Sequence, residues 1–98
     1  MKAKIGHRKY DIQYLKRVDD VDAGQDLAGC IRYADRKILI SVDQHSEDIP
    51  PTLLHEIIHA VSMERNLKLT ENQVINLANG LYEFILDNPK LAKEIFNP

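Results

Sequence analysis

Apolar and polar positions alternate at the start of this chain and then change period near its middle. Tyr10, Ile12 and Tyr14 alternate with polar residues, as expected of a half-buried strand. Asp19-Asp20-Val21-Asp22-Ala23-Gly24-Gln25-Asp26 follows, acidic and rich in turn formers, and reads as a loop. Its aspartates lack the spacing of an EF-hand loop, so solvated carboxylates are expected rather than a calcium site. Ala28 to Tyr33 and Lys37 to Val42 then flank Ala34-Asp35-Arg36 as the arms of a hairpin. Lys37-Ile38-Leu39-Ile40-Ser41-Val42 is the more β-rich arm and suits an edge or next-to-edge strand. Cys30, on the other arm, reads as a small apolar filler.

Beyond Ser46 the period becomes helical. Pro50 and Pro51 fit a helix entrance, since proline lacks the amide that an interior position needs. A helix is predicted from about Pro51 to Arg65, with Leu53, Leu54, Ile57, Ile58, Ala60 and Val61 burying it on most sides. Thr70-Glu71-Asn72-Gln73 has the pattern of a capping box and starts a second helix. Val74, Ile75, Leu77, Ala78, Leu81, Ile85 and Leu86 give that helix a broad apolar face. Asn88-Pro89 ends it and begins a short third helix carrying Leu91, Ile95 and Phe96. The class is therefore α+β, with an antiparallel or mixed sheet packed on two or three helices.

The first of these helices carries His55-Glu56-Ile57-Ile58-His59, an H-E-x-x-H sequence. Residues four apart stand one turn apart, so both imidazoles leave the same face and can hold one metal ion. Glu56 can reach a water activated by that metal without itself being a ligand. This is the donor pattern of a zinc peptidase, with two histidines on Zn²⁺ and a carboxylate as proton acceptor. Buried imidazoles beside a buried carboxylate would be costly without a cation.

A catalytic zinc normally takes three protein ligands. No H-x-x-G-x-x-H extension follows His59, so the third ligand comes from elsewhere. His7 and His45 stand in a terminal segment and a loop. Glu64, at i+5 from His59, is too near along the same helix. Glu71 and Glu83 remain on the second helix. Glu71 leads them, because the short Asn66-to-Leu69 connection predicts a helical hairpin that brings its first turn to the metal helix. A carboxylate in a first turn also has a purely structural reason to be there, the helix dipole.

Composition narrows the setting. A chain of 98 residues has room for one domain, 1–98, with one modest core. A net charge of −2 supplies no basic surface for nucleic acid. No run approaches the roughly 20 apolar residues that span a bilayer. Lysines near Met1 precede no apolar segment, and the single cysteine excludes an internal disulfide, which together predict a cytoplasmic protein.

Thr52-Leu53-Leu54-His55-Glu56-Ile57-Ile58-His59-Ala60 resembles the T-L-x-H-E-x-x-H-A helix of small gluzincin-like peptidases. These include the ImmA/IrrE family of metallo-endopeptidases from phages and mobile elements. Leu69 to Val74 and Leu77 to Tyr82 extend the resemblance, which covers roughly residues 26 to 90. It implies a small zincin-like fold, Zn²⁺ on His55 and His59, Glu56 as general base, and a downstream glutamate as third ligand. Better-known members carry that glutamate in an E-A-x-x-F-A segment. Here the equivalent run, Gln73 to Ala78, has no acid, so Glu71 is the nearest counterpart.

The expected function is zinc-dependent hydrolysis of a polypeptide, bound extended beside the Lys37-to-Val42 strand. Tyr82, Tyr33 or Tyr10 could donate to the transition state. The alternative is an inactive zinc-binding module that retains the fold for protein interaction or regulation.

Overall fold

The computed structural model describes residues 1–20 and 25–97. Its first half forms strands β1 (Lys2–Ile5), β2 (Arg8–Leu15), β3 (Val18–Asp20), β4 (Gln25–Leu27), β5 (Gly29–Arg32) and β6 (Lys37–Ser41). A 3₁₀ turn, Ser46–Asp48, leads into helices α1 (Ile49–Glu64), α2 (Glu71–Asp87) and α3 (Pro89–Phe96). A four-stranded mixed sheet has the order β1-β2-β6-β5, and β3 pairs with β4 in a separate ribbon. The α+β class read from the sequence holds.

Several boundaries differ from those the residue pattern predicts. The first strand, β1, lies in a segment read only for its lysines. Lys2-Ala3-Lys4-Ile5 does alternate, and Gly6 at φ 61° closes a tight turn onto β2, with Ile5 paired to Arg8. The acidic segment read as a loop contributes β3 and β4, with Asp19 opposite Asp26. Main-chain pairing there overrides the poor strand propensity of aspartate. Val21 to Gly24 of that predicted loop lie outside the described residues. Tyr14 continues the alternation of β2 but stays exposed.

The sheet buries one face against α1. Ile5, Tyr10, Ile12, Ile38 and Ile40 meet Ala60, with Leu53, Ile57 and Val61 packed around them. A second, smaller cluster joins Ile58 of α1 to Val74 and Ala78 of α2, closed by Leu54 and Leu69. Helix α1 is thus held between two layers. Its C-terminal end is fixed to the sheet by a long-range hydrogen bond, in which the Tyr10 hydroxyl donates to Glu64 at 2.6 Å. Burial and the Glu64 charge push the Tyr10 phenol up to about 12. Gly6 passes so close that a Cβ there would sit 3.1 Å from the Glu64 Cβ.

The turn from α1 to α2 sets where α2 begins. Asn66 at φ 54° terminates α1, with Leu67 N donating to the Ser62 carbonyl and Asn66 N to that of Met63, the Schellman arrangement. The buried Ser62 hydroxyl then accepts from the Leu69 amide at 3.1 Å. Thr70 and Gln73 complete the expected capping box, each side chain accepting from the other's backbone amide. No helix among the described residues is long and apolar enough to cross a membrane.

The Tyr10–Glu64 bond lies outside the His55–His59–Glu71 group and serves the fold. Tyr10→Phe should lower unfolding free energy by about 1.5–3 kcal/mol, the range for a hydrogen bond to a charged partner. Urea denaturation measures the loss, and zinc content should be unchanged.

Candidate metal centre

Helix α1 leaves a strip between its sheet-facing and α2-facing apolar arcs. His55 and His59 project together from it, their rings edge to face with centroids 4.9 Å apart. Glu71, the first residue of α2, closes over them. Its Oε1 lies 2.8 Å from His55 Nε2 and its Oε2 lies 2.8 Å from His59 Nε2. One ligand atom from each of the three residues falls within 4.8 Å of the others. The Schellman turn and the Ser62–Leu69 bond bring Glu71 to this point, because they fix the direction in which α2 leaves the connection.

Glu56 stands on the sheet side of the pair, only 5% exposed. Its Oε1 is 3.9 Å from His55 Nε2, and its Oε2 is buried with no hydrogen-bond partner. Loss of solvent, and then the nearby Glu71 charge, push its carboxyl up to about 7. A bare carboxylate in such a place is expensive unless a cation compensates it. Two imidazole nitrogens, a carboxylate and an orphaned buried acid beside them form a donor set that fits zinc.

Strand β5 forms the other wall of the site. A Cβ on Gly29 would lie 2.7 Å from Thr52 Cγ2 and 3.2 Å from Glu56 Cγ, so glycine lets the strand lie directly on α1. Gln44 locks this junction. Its amide donates to the carbonyls of Ala28 and Ser41, and its oxygen accepts from the Thr52 hydroxyl. A pocket of about 290 Å³ is lined by Ala28, Gly29, Pro51, Thr52, His55, Glu56 and Asn79. A second, of about 260 Å³, is lined by Tyr33, His59, Ser62, Met63, Asn66, Lys68 and Leu69. One histidine borders each.

The remaining candidates lie elsewhere. His7 is exposed in the β1–β2 turn, and exposed His45 accepts from Glu47 N at the 3₁₀ turn. Glu64 is engaged by Tyr10 and Arg8, and Glu83 is exposed farther along α2. Cys30 is half-buried on β5 and outside the His55–His59–Glu71 group. Of the three tyrosines, Tyr10 is locked in the core. Tyr33 borders the pocket beside His59, and its phenol is raised by burial and by the Glu56 and Glu71 charges. Tyr82 is half-buried on α2 and lines neither pocket.

Sequence reasoning overlooked Gly29, Thr52 and Asn79. Asn79 had a signal, for it lies eight residues, just over two turns, after Glu71 on one flank of α2. The expected peptide partner strand also needs correction. Both sides of β6 are filled, by β2 in parallel and β5 antiparallel, so no peptide can pair with Lys37 to Val42. The sheet ends at β5. No protein-family model, curated protein or solved structure matches this chain.

His55→Ala and His59→Ala should each abolish stoichiometric zinc binding. Glu71→Ala should weaken it at least about tenfold, with Glu83→Ala unchanged, in chelator-competition titrations. Zinc retained by the double histidine variant would exclude this centre.

Metal-free protein offers a separate check on Glu56. Its raised carboxyl favours the folded state when protonated, so this contribution is lost as pH rises from the ordinary 4.5 through about 7. In chelator, the melting temperature of wild type relative to Glu56→Gln should therefore fall across that interval.

Proposed function

We propose that this chain is a zinc-dependent metallopeptidase that hydrolyses a polypeptide bound along β5. The observation that carries the reading is the convergence of His55, His59 and Glu71 beside the buried Glu56 carboxylate, whose Oε2 has no hydrogen-bond partner. In this reading His55, His59 and Glu71 hold the ion, as in the gluzincin-like peptidases that the α1 sequence resembles. A zinc ion held there supplies Lewis acidity, which makes water acidic near neutral pH and polarises a carbonyl.

The chain's own groups do the rest. Glu56 accepts the proton of the attacking water as its oxygen bonds to the carbonyl carbon. It then gives that proton to the departing amine nitrogen as the C–N bond breaks, leaving a carboxylic acid and an amine, between which the remaining water proton passes to give carboxylate and ammonium. Its folded-state affinity for protons, raised by burial, suits a group that both takes and returns one. Tyr33, bordering the pocket beside His59, is the tyrosine suited to donate to the carbonyl oxygen as charge develops there.

Substrate selection follows from the walls. β5 ends the sheet, so an extended peptide can add to it as a further strand. That peptide would run past both histidines, with one pocket on each side of the scissile bond. Both pockets are small, which favours a restricted set of cleavage sites over general proteolysis.

The test compares wild type with Glu56→Gln on a proteome-derived peptide library. Peptide bonds should be cut by the zinc-loaded wild type and spared by the variant, with zinc content equal in both. Identical digests from the two proteins would replace this reading with an inactive zinc-binding module.

A further inference from the structure

The two pockets beside the histidines differ in charge. The one against His55 has Glu56 in its lining and no lysine or arginine. The one against His59 has Lys68 in its lining and no carboxylate. Asn66 stands in that same lining and adds a carboxamide.

Lys68 reaches this wall because the backbone is pinned on both sides of it. The Leu67 amide donates to the Ser62 carbonyl at 2.9 Å, and the Leu69 amide donates to the Ser62 hydroxyl at 3.1 Å. Between them Lys68 stands at φ 57°, two residues after Asn66 at φ 54°. Residues other than glycine enter that left-handed region only where surrounding contacts impose it. The turn that directs α2 toward the histidines therefore also fixes the point from which the lysine side chain starts.

Neither polar group is used within the chain. Among the described residues, the Lys68 ammonium forms no ion pair and the Asn66 carboxamide no hydrogen bond. An ammonium offers three donors and no acceptor, and a carboxamide offers two further donors. Their complement is an anion with acceptor oxygens, and in an unmodified polypeptide that anion is a carboxylate.

We infer that the pocket against His59 receives a carboxylate of the substrate, so that Lys68 selects polypeptides carrying one beside the scissile bond. The inference rests on the metallopeptidase reading for its substrate, and on the pocket alone for the chemistry of the group bound there. An aspartate or glutamate side chain and the carboxylate that ends a chain share this chemistry.

Two measurements test it. In the first, zinc-loaded protein is titrated with alkyl hydroxamates, small metal-chelating probes that end in a carboxylate or in the neutral carboxamide of equal length. A series of increasing alkyl length covers the reach from metal to pocket. At the best length wild type should bind the carboxylate about threefold to fivefold more tightly, as expected of an exposed ion pair. That preference should shrink as salt is added. Lys68→Gln should remove it and Lys68→Glu should invert it, with zinc content unchanged. Equal affinity for both probes at every length would overturn the inference, whether or not the protein cuts peptides.

The second measurement reads the peptides cut by wild type and spared by Glu56→Gln. These should carry a carboxylate beside the cut bond, and copies with an amidated end distinguish side chain from chain end. Lys68→Glu should turn the preference toward lysine and arginine. Cleavage without acidic preference would overturn the inference and leave the metallopeptidase reading standing. A carboxylate-preferring pocket in a protein that cuts nothing would support the pocket and remove the peptidase.

Discussion

Everything at the candidate centre depends on α1 being packed from two directions while one strip of its surface is left polar. Leu53, Ile57, Ala60 and Val61 face the sheet, and Leu54 and Ile58 face α2. Successive residues turn about 100°, so these two arcs leave a third, and His55, Glu56 and His59 occupy it. The two apolar contacts therefore do more than stabilise the helix. They aim the histidines toward the first turn of α2, from which Glu71 reaches both Nε2 atoms. Loosening either contact would rotate the helix and separate His59 from Glu71.

The electrostatics of this strip would favour a bound cation. Glu56 is buried with an oxygen that has no partner, and Glu71 adds negative charge nearby. Without compensation the arrangement disfavours its own ionised form. A divalent ion would reverse the balance, converting two repelling carboxylates into groups attracted to a common charge. Folding and metal binding would then be coupled, because Glu71 comes from a different helix from the histidines. The donor set exists only after the α1–α2 connection has formed.

Local chemistry made much of this legible before the fold was known. The H-E-x-x-H spacing, the Thr70–Gln73 capping box and the hairpin before α1 each depend on residues within a few positions of one another. Glu71 could be reached because the short α1–α2 connection restricts where α2 begins. Features resting on distant pairing were missed or misplaced. Lys2 to Ile5 becomes a strand because β2 lies beside it, and Asp19–Asp20 because Gln25–Asp26 does. The filling of both sides of β6 follows from a parallel pairing with β2, which no local pattern announces. Gly29 marks a close approach between β5 and α1, and a glycine before a strand could equally have been a turn.

The two apolar seams of α2 show the limit of periodicity in another way. A wide hydrophobic arc read from sequence says that a helix is covered, without saying by what. Here α1 takes the middle of the arc, through Val74 and Ala78. Glu71 and Asn79 lie on one flank, beside the histidines, and Leu77, Leu81 and Phe84 lie on the other. The first turn and one flank of α2 border the candidate centre, while Leu77, Leu81 and Phe84 line neither pocket beside the histidines.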